Sequence, residues 1–290
     1  MFRKVMKYDV GAIIRIWSLF TVTVLVLSIV GGLCFRGIES ATGVQAQMPF
    51  IPLYILGIFL SIISIAAYGV ATVALVLVRY YRNFFTDEGY LTFTLPVKRS
   101  TLFNAKLLTA FIFNTATAII TILALGVLLA IAPGGQLGSS ALSVLIEAFK
   151  PAIEALKVLV STDSEVAFWL TTYAIAGVAY ILVLFVHETL LLFSTVTFGS
   201  ILAKKHKIIA SVAVYYGVQM LLSTMWTIIE VFLSIGIQAI TVVPEVISDG
   251  NQVLWLFLGL IVFYICALSL VASFFYKFTV SKLRGNLNLA

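Results

Sequence analysis

Charged residues are scarce in this chain of 290 residues. Only 10% of the positions are charged and 62% are hydrophobic, whereas a soluble domain has roughly a quarter charged and about half apolar residues. A water-soluble globule and a disordered chain are therefore excluded, since both need far more polar residues. The mean hydropathy of +1.14 instead predicts a single polytopic membrane domain over residues 1–290.

The chain also has few of the residues that build disulfides, metal sites and catalytic centres. It contains two cysteines and two histidines. Cys34 and Cys266 fall inside apolar runs, which predicts small buried side chains and neither a disulfide nor a metal pair. The patterns H-E-x-x-H, G-x-S-x-G and G-x-x-x-x-G-K-[ST] are absent from the sequence. We therefore expect no catalytic residue, no metal site and no cofactor in this chain.

Long charge-poor apolar runs occupy most of the sequence. A helix needs about 20 apolar residues to cross a bilayer core about 30 Å thick. This criterion predicts an all-α fold of six transmembrane helices. They lie at 16–35, within 40–78, and at 102–132, 167–203, 208–237 and 253–276.

Positive charge is distributed unevenly over the segments between these spans. Of the 18 Lys and Arg, only Arg36, Lys150 and Lys157 fall on the side opposite the termini. That side carries most of the acids: Glu39, Glu147, Glu154, Asp163, Glu165, Glu245 and Asp249. The positive-inside rule then places both termini in the cytoplasm. Short basic clusters between apolar runs suit anionic lipid headgroups, so we expect the bilayer as a partner and no nucleic acid.

Three segments outside the spans have predicted roles. Residues 2–15 alternate apolar and basic positions at helical spacing, which predicts an interfacial helix at 1–15 on the inner leaflet. A charged lead-in that only fixes the topology is the alternative. Residues 142–160 have a helical apolar stripe, which predicts an external amphipathic helix within the extracellular segment 132–166. The tail 277–290 is predicted to be cytoplasmic.

Polar groups inside the spans need an explanation, because a charge in hydrocarbon costs at least about 2.5 kcal/mol. His187 and Glu188 lie roughly 24 Å from the cytoplasmic end of their span, and Glu230 lies roughly 33 Å from that side. Glu188 either lines a cavity and meets a cationic or polar substrate, or forms a structural hydrogen bond with a residue such as Asn114. Glu230 can reach water at the outer boundary, and the difference in height argues against a direct pair with His187.

The cytoplasmic loop 79–106 reads RYYRNFFTDEGYLTFTLPVKRSTLFNAK. A hydrophilic linker would not carry so many aromatic residues, so we predict short ordered elements that bury them against helix ends or against a partner protein. Asp87 and Glu88 are, apart from Asp9, the only acids on this basic side. They are predicted to contact a cation of a partner. Locally, Asp87 could instead cap a helix or pair with Arg82.

The stretch DEGYLTFTLPVKRSTLFNAKLL resembles the region between the second and third spans of bacterial type-2 ABC transporter permeases. The tail FFYKFTVSKLRGNLNLA is similar to the end of these permeases, which has an aromatic helix end, a few basic residues and a final asparagine-leucine pair. The resemblance covers the whole chain in layout and is strong in the loop and the tail. Phe93 stands where leucine is common in the family.

The resemblance implies a permease subunit, in our interpretation of an exporter, in the bacterial cytoplasmic membrane. In that fold, a coupling helix in the loop lies in a groove of a separate ATP-binding subunit, which binds the ATP and Mg²⁺. The helix before the first span touches the same subunit. By this resemblance the coupling residues are Phe84, Phe85, Asp87, Glu88 and Tyr90. A second permease copy or a paralogue completes the transporter, together with two ATPase subunits.

Two other functions stay open. A stand-alone ion-coupled carrier would use Glu188 and Glu230. An intramembrane enzyme would need a cluster of catalytic residues, and the sequence offers none. The type-2 fold also has short re-entrant helices before the last span. Residues 230–251, with Pro244 and Gly250, would form either these helices or an ordinary loop.

Overall fold

In a computed structural model, nearly all of the residues that can be described are helical. The described residues are 2–42, 50–94, 97–131, 150, 154, 157, 164–203, 205–242 and 250–284. The helices are α1 (Phe2–Thr42), α2 (Ile51–Phe85), α3 (Asp87–Thr94), α4 (Arg99–Ile131), α5 (Ser164–Leu202), α6 (Lys207–Val242) and α7 (Gly250–Arg284). No β-strand occurs within these ranges.

All of these helices except the short α3 are long and apolar enough to cross a membrane, which gives six candidate spans among the described residues. This confirms the predicted number of spans and is consistent with a multi-pass membrane protein. The helices continue beyond the charge-free runs, and α2 extends to Phe85 and α7 to Arg284. Helical hydrogen bonding does not end where the apolar sequence ends, so the runs identify the helices better than their boundaries.

The N-terminal segment is helical but is not separated from the first span. Helix α1 runs without interruption from Phe2 to Thr42 and so includes residues 2–15. The structure therefore agrees with the predicted helicity of this segment. It does not show a separate helix in the membrane plane.

The chain forms two compact units. The first comprises Met1–Arg79 and Leu108–Thr162, and the second comprises Tyr80–Leu107 and Asp163–Ala290. Helices α2 and α4 each contribute residues to both units. From Tyr80 onward, the loop that resembles a coupling region belongs to the second unit, as do His187, Glu188 and Glu230.

In the first unit, small residues bring α1 close to α2 and α4. A Cβ on Gly31 would collide with the side chain of Ser61, and a Cβ on Gly32 would lie 2.6 Å from Cβ of Ile131. Small residues at such positions let membrane helices approach closely. A Cβ on Gly57 of α2 would likewise lie 2.5 Å from Sγ of Cys34.

A short series of hydrogen bonds joins the same helices. Nε1 of Trp17 donates to Oγ1 of Thr117 at 3.0 Å, and Thr117 donates to Oγ1 of Thr72 at 3.1 Å. The hydroxyls of Thr21 and Tyr68 lie 2.8 Å apart. These bonds satisfy polar groups that have no access to water in the interior of a membrane protein.

In the second unit, α5 packs against both α6 and α7. Near the predicted tight turn between α5 and α6, a Cβ on Gly199 would overlap the backbone of Ser211. At the opposite end of α5, Nε1 of Trp169 donates to Oδ1 of Asn251 at 3.2 Å, and the Trp169 ring meets that of Trp255 edge-on at 4.8 Å. Tryptophan pairs of this kind suit a membrane–water boundary.

Three predictions about individual segments have different outcomes. The expected burial of both cysteines is wrong for Cys266, which is free and exposed, while Cys34 is half-buried. An apolar run does not distinguish the lipid-facing side of a helix from its packed side.

Of the predicted re-entrant segment, residues 230–242 continue α6 and 250–251 begin α7, and 243–249 lie outside the described residues. Of the predicted external helix, only Lys150, Glu154 and Lys157 are described, and they are helical and exposed.

Candidate functional site

The loop between the second and third spans contains one short helix, α3. It begins directly after α2, with a single residue, Thr86, between them. The backbone N–H of Gly89 donates to the carbonyl of Thr86 at 2.7 Å. A Cβ on Gly89 would lie 2.8 Å from the carbonyl oxygen of Phe84, so glycine lets the first turn of α3 lie against the end of α2.

Five rings, which we call the aromatic cluster, pack at the base of α3. They belong to Tyr80, Phe84, Phe85, Phe103 and Phe193. The rings of Tyr80 and Phe193 stack at 4.0 Å with an interplanar angle of 5°. Phe103 meets both of these rings edge-on, at 6.3 and 6.1 Å. The cluster therefore connects the end of α2 and the start of α4 with the last third of α5.

A hydrogen bond adds a polar contact to this packing. The hydroxyl of Tyr80 lies 2.7 Å from Oγ1 of Thr197, and both side chains are buried. Thr197 already donates its own proton to the carbonyl of Phe193 at 2.7 Å. Tyr80 is therefore the donor in the bond to Thr197. The sequence did not identify Tyr80, Phe193 or Thr197, because residues so far apart in the chain are brought together only by helix packing.

Phe84 and Phe85 lie inside the chain and not on its surface. They are 0% and 5% exposed and pack in the aromatic cluster. This is one of the two arrangements that the sequence left open, namely burial against helix ends of the same chain. With their rings in the cluster, a direct contact with a partner would require them to leave it.

Glu88 lies on the solvent side of α3 and pairs locally. Its carboxylate accepts from Nη2 of Arg82 at 2.7 Å, and the two side chains are 41% and 57% exposed. The local ion pair that was considered for Asp87 is thus formed by its neighbour. The side chains of Asp87 and Tyr90 lie outside the described part of the structure, so their predicted contacts stay predictions.

A second acid on the basic side is buried. Asp9 of α1 is 3% exposed, and its Oδ1 lies 3.6 Å from Nε of Arg79 near the end of α2. The sequence singled out Asp9 only as one of few acids among many cations. Asp9 lies on the buried face of α1. Its place in the helical pattern of apolar residues could have predicted that Asp9 has a partner on another helix.

His187 and Glu188 lie next to each other in α5. His187 is 3% exposed, while the Glu188 side chain is 42% exposed. Nδ1 of His187 lies 3.6 Å from Oε1 of Glu188, which is too long for a hydrogen bond. Among the residues that the structure describes, neither ring nitrogen of His187 has a hydrogen-bond partner. An unsatisfied buried polar group costs about 1–3 kcal/mol.

The other two predicted pathway residues lie elsewhere. Asn114 is half-buried in α4 and belongs to the first unit. Glu230 is exposed on α6 and forms no ion pair with His187, as the difference in height predicts. Glu188 and Glu230 therefore do not share one ion-pair network.

The described residues contain no group of three or more His, Cys, Asp or Glu that could hold a metal ion. No protein-family model, curated protein or solved structure matches the chain. The function is therefore argued from the geometry of the loop helix and of the polar residues within the spans.

Proposed function

We propose that the chain is the membrane-spanning permease subunit of an ATP-driven ABC transporter, an exporter, whose separate ATPase subunit binds at α3. One observation carries the proposal. A short helix lies between the second and third spans, its Gly89 lies against the backbone of Phe84, and the Phe84 ring belongs to an aromatic cluster that includes Phe193 of α5. A connection that only joins two spans has no need of fixed packing against a third helix.

In this proposal, the aromatic cluster transmits a movement of α3 to the transmembrane helices. Packed rings resist compression, so a displacement of α3 shifts the side chains beneath it. Tyr80 stacks on Phe193 and donates to Thr197, and both of these residues belong to α5. The same helix carries His187 and Glu188 about one and a half to three turns away. ATP-driven movement at α3 would thus reach the polar residues inside the membrane.

The loop residues divide into two groups in this proposal. Phe84 and Phe85 hold the base of α3 within the chain, because their rings are buried. Asp87, Glu88 and Tyr90 make the contact with the ATPase subunit. Glu88 can exchange its exposed partner Arg82 for a cation of the ATPase at little cost, since exposed ion pairs contribute only about 0–1 kcal/mol.

The proposal also specifies how the chain is oriented in the membrane and which other subunits complete the transporter. The distribution of Lys and Arg places both termini and α3 in the cytoplasm, with residues 2–15 near the inner leaflet of a bacterial cytoplasmic membrane. Trp169 and Trp255 then mark the outer boundary. A second permease chain completes the transport path, and ATP and Mg²⁺ bind to the ATPase subunits.

Co-purification tests the proposal directly. A tagged chain is expressed with its neighbouring genes, extracted in mild detergent and purified by the tag. We expect a nucleotide-binding protein to be recovered in equal amount. Purification of the chain without any ATPase from all such extracts would contradict the proposal.

A stand-alone ion-coupled carrier is the second candidate. The observation that favours it is the His187–Glu188 pair, in which a buried imidazole without a hydrogen-bond partner among the described residues lies beside a partly exposed carboxylate. Such a carrier would transport in proteoliposomes that contain this chain alone, driven by a pH gradient. The ABC proposal predicts no transport there without the ATPase.

A further inference from the structure

We propose that the C-terminal ends of α5 and α7 form a binding site for one anionic phospholipid. Lysine side chains at these ends contact the phosphate, and an exposed aromatic surface further into the membrane contacts the acyl chains. The distribution of Lys and Arg places this end of the helices at the inner leaflet. The site is independent of the proposed transport function.

Three rings form an exposed surface where α5 and α7 meet. The ring of Phe278 of α7 stacks on that of Phe274 at 6.3 Å and meets that of Phe198 of α5 edge-on at 5.8 Å. Phe274 is 64% exposed and Phe198 is 37% exposed. Leu270 and Leu202 are also exposed, four residues from Phe274 and Phe198 on the same helix faces. This surface is apolar and suits the acyl chains of a lipid.

Helices α5 and α7 run in the same direction, which brings their ends together. Near their starts, the ring of Trp169 meets that of Trp255. Near their ends, the ring of Phe198 meets that of Phe278. Residues at equal distances beyond this second contact therefore lie at about the same height along the two helices.

Lysines lie at the end of the aromatic surface. Lys282 follows Phe278 by four residues, about 6 Å along α7, which is the height at which α5 ends. Its Nζ lies 5.8 Å from the centroid of the Phe278 ring, within the range of a cation–π contact. Lys277 lies three residues after Phe274, on the same side of α7, and is exposed. The exposed Lys205 belongs to the turn that follows α5.

The end of α7 is held against the second unit, so these lysines project from a fixed helix. Nη1 of Arg99 donates to the carbonyl of Leu283 at 2.6 Å, and Leu283 is buried. Thr279 and Val280 are buried as well, whereas Lys282 is exposed. One side of the last turns therefore packs within the chain while the other presents positive charge.

Few acids are available to neutralise this charge. The sequence has no Asp or Glu between residues 189 and 229 and none after Asp249, so neither the turn after α5 nor α7 carries an acid. Of the two acids of α3, Glu88 already pairs with Arg82, and the side chain of Asp87 lies outside the described part of the structure. A phosphate would supply the missing negative charge.

An anionic phospholipid matches both parts of the site. Its phosphate can accept charge-assisted hydrogen bonds from the lysines, and its acyl chains can cover the rings of α5 and α7. Basic pockets between the cytoplasmic ends of membrane helices are typical positions for such headgroups. A soluble phosphate would contact the lysines alone and leave the rings without a partner.

Native mass spectrometry of the purified chain in detergent tests the site, with equal amounts of phosphatidylglycerol and phosphatidylcholine as probes. We expect one phosphatidylglycerol to bind at least about tenfold more tightly than phosphatidylcholine, because only the former has a net negative charge. Glycerol 3-phosphate has the phosphate without acyl chains and should not displace the lipid. Equal binding of the two lipids, or displacement by glycerol 3-phosphate, would overturn the inference.

Paired variants locate the site. Lys277→Gln with Lys282→Gln should weaken the binding of phosphatidylglycerol at least about tenfold, whereas arginine at both positions should preserve it. Lys4→Gln with Lys7→Gln is the matched control, because it removes the same charge from exposed positions of the first unit. An equal loss in the two glutamine pairs, or no loss in the first, would contradict the assignment. These measurements need no ATPase, so they can fail or succeed separately from the co-purification.

Discussion

The hydroxyl of Tyr80 donates a hydrogen bond of 2.7 Å to Oγ1 of Thr197, which lies 117 residues further along the chain. This bond connects α5 to the end of α2, which leads into the short helix of the loop. It lies in the second unit, where the stacked ring of Phe193 supports it. In the proposed transporter, this bond would help to connect the helix that leads into α3 with the helix that carries His187 and Glu188.

Removal of the Tyr80 hydroxyl should weaken the contact between α2 and α5 without leaving a large cavity in the core. Tyr80→Phe keeps the ring and leaves the bond of Thr197 to the carbonyl of Phe193 intact. We expect a loss of about 1 kcal/mol in the free energy of unfolding, because a typical internal hydrogen bond contributes about that much. Thermal unfolding in detergent measures it.

Tyr81→Phe is the matched control, because the Tyr81 ring stacks on Phe85 at the edge of the cluster, with 6.1 Å between the ring centroids. It should change the stability little. In the assembled transporter, Tyr80→Phe should also lower transport per ATP hydrolysed, and Tyr81→Phe should not. Equal behaviour of the two variants would remove the role of the Tyr80–Thr197 bond.

Replacement of Gly199 by alanine should disrupt the packing of α5 against α6. The added Cβ would overlap backbone atoms of Ser211, which cannot rotate away. We expect a loss of about 1–3 kcal/mol in unfolding free energy, the usual range for overpacking.

The control is Gly217→Ala in α6, where nothing lies within 4 Å of the added Cβ. Alanine is the better helix former by about 1 kcal/mol, so this variant should be neutral or stabilising. Chemical denaturation of both variants in detergent gives the comparison. A similar loss at the two positions would show that α5 and α6 do not pack at Gly199.

Burial, and not distance, should decide which ion pair matters for stability. Asp9 and Arg79 lie 3.6 Å apart with the carboxylate buried, whereas Arg82 and Glu88 lie 2.7 Å apart and are exposed. Asp9→Asn should cost about 1–3 kcal/mol, since it alters a buried charged pair.

Arg82→Gln should cost less than about 1 kcal/mol, as expected of an exposed pair. Unfolding curves at low and high salt separate the two cases, because salt screens only the exposed pair strongly. The interpretation fails if breaking the shorter, exposed pair costs more.

The six spans were predictable because their signal is local. A charge-poor run of helical length has few other structures available in a membrane protein, and each predicted run corresponds to one of the six candidate spans. The short helix between the second and third spans was also indicated, since so many aromatic residues in a loop need to be buried. The exposed position of Cys266 was not predictable, because lipid and protein core select the same apolar residues.

The partners within the site depend on packing, which the sequence does not encode locally. The rings of Phe84 and Phe85 could have been buried by this chain or by another protein, and only the position of Phe193 on α5 decides between them. His187 is recognisable as a costly residue in an apolar run. That neither of its nitrogens finds a partner depends on which side chains of α6 and α7 lie nearby.

The acids of α3 should be required for coupling and not for folding. Replacement of Asp87 and Glu88 together by alanine removes the negative charge that we assign to the ATPase contact. We expect normal expression and assembly of the chain, with ATP hydrolysis no longer coupled to transport. Glu154→Ala serves as the control, since that acid lies outside the loop. Unchanged coupling in the double variant would exclude the contact role of these acids.

The central claim is that α3 contacts an ATPase subunit, and site-specific photocrosslinking in cells tests it most directly. A photoreactive amino acid replaces Thr94, the exposed last residue of α3, or Glu154 as the reference position. We predict a covalent product between the Thr94 position and a nucleotide-binding protein, and no such product from position 154. The absence of that product at Thr94, or the same product from both positions, would contradict the account.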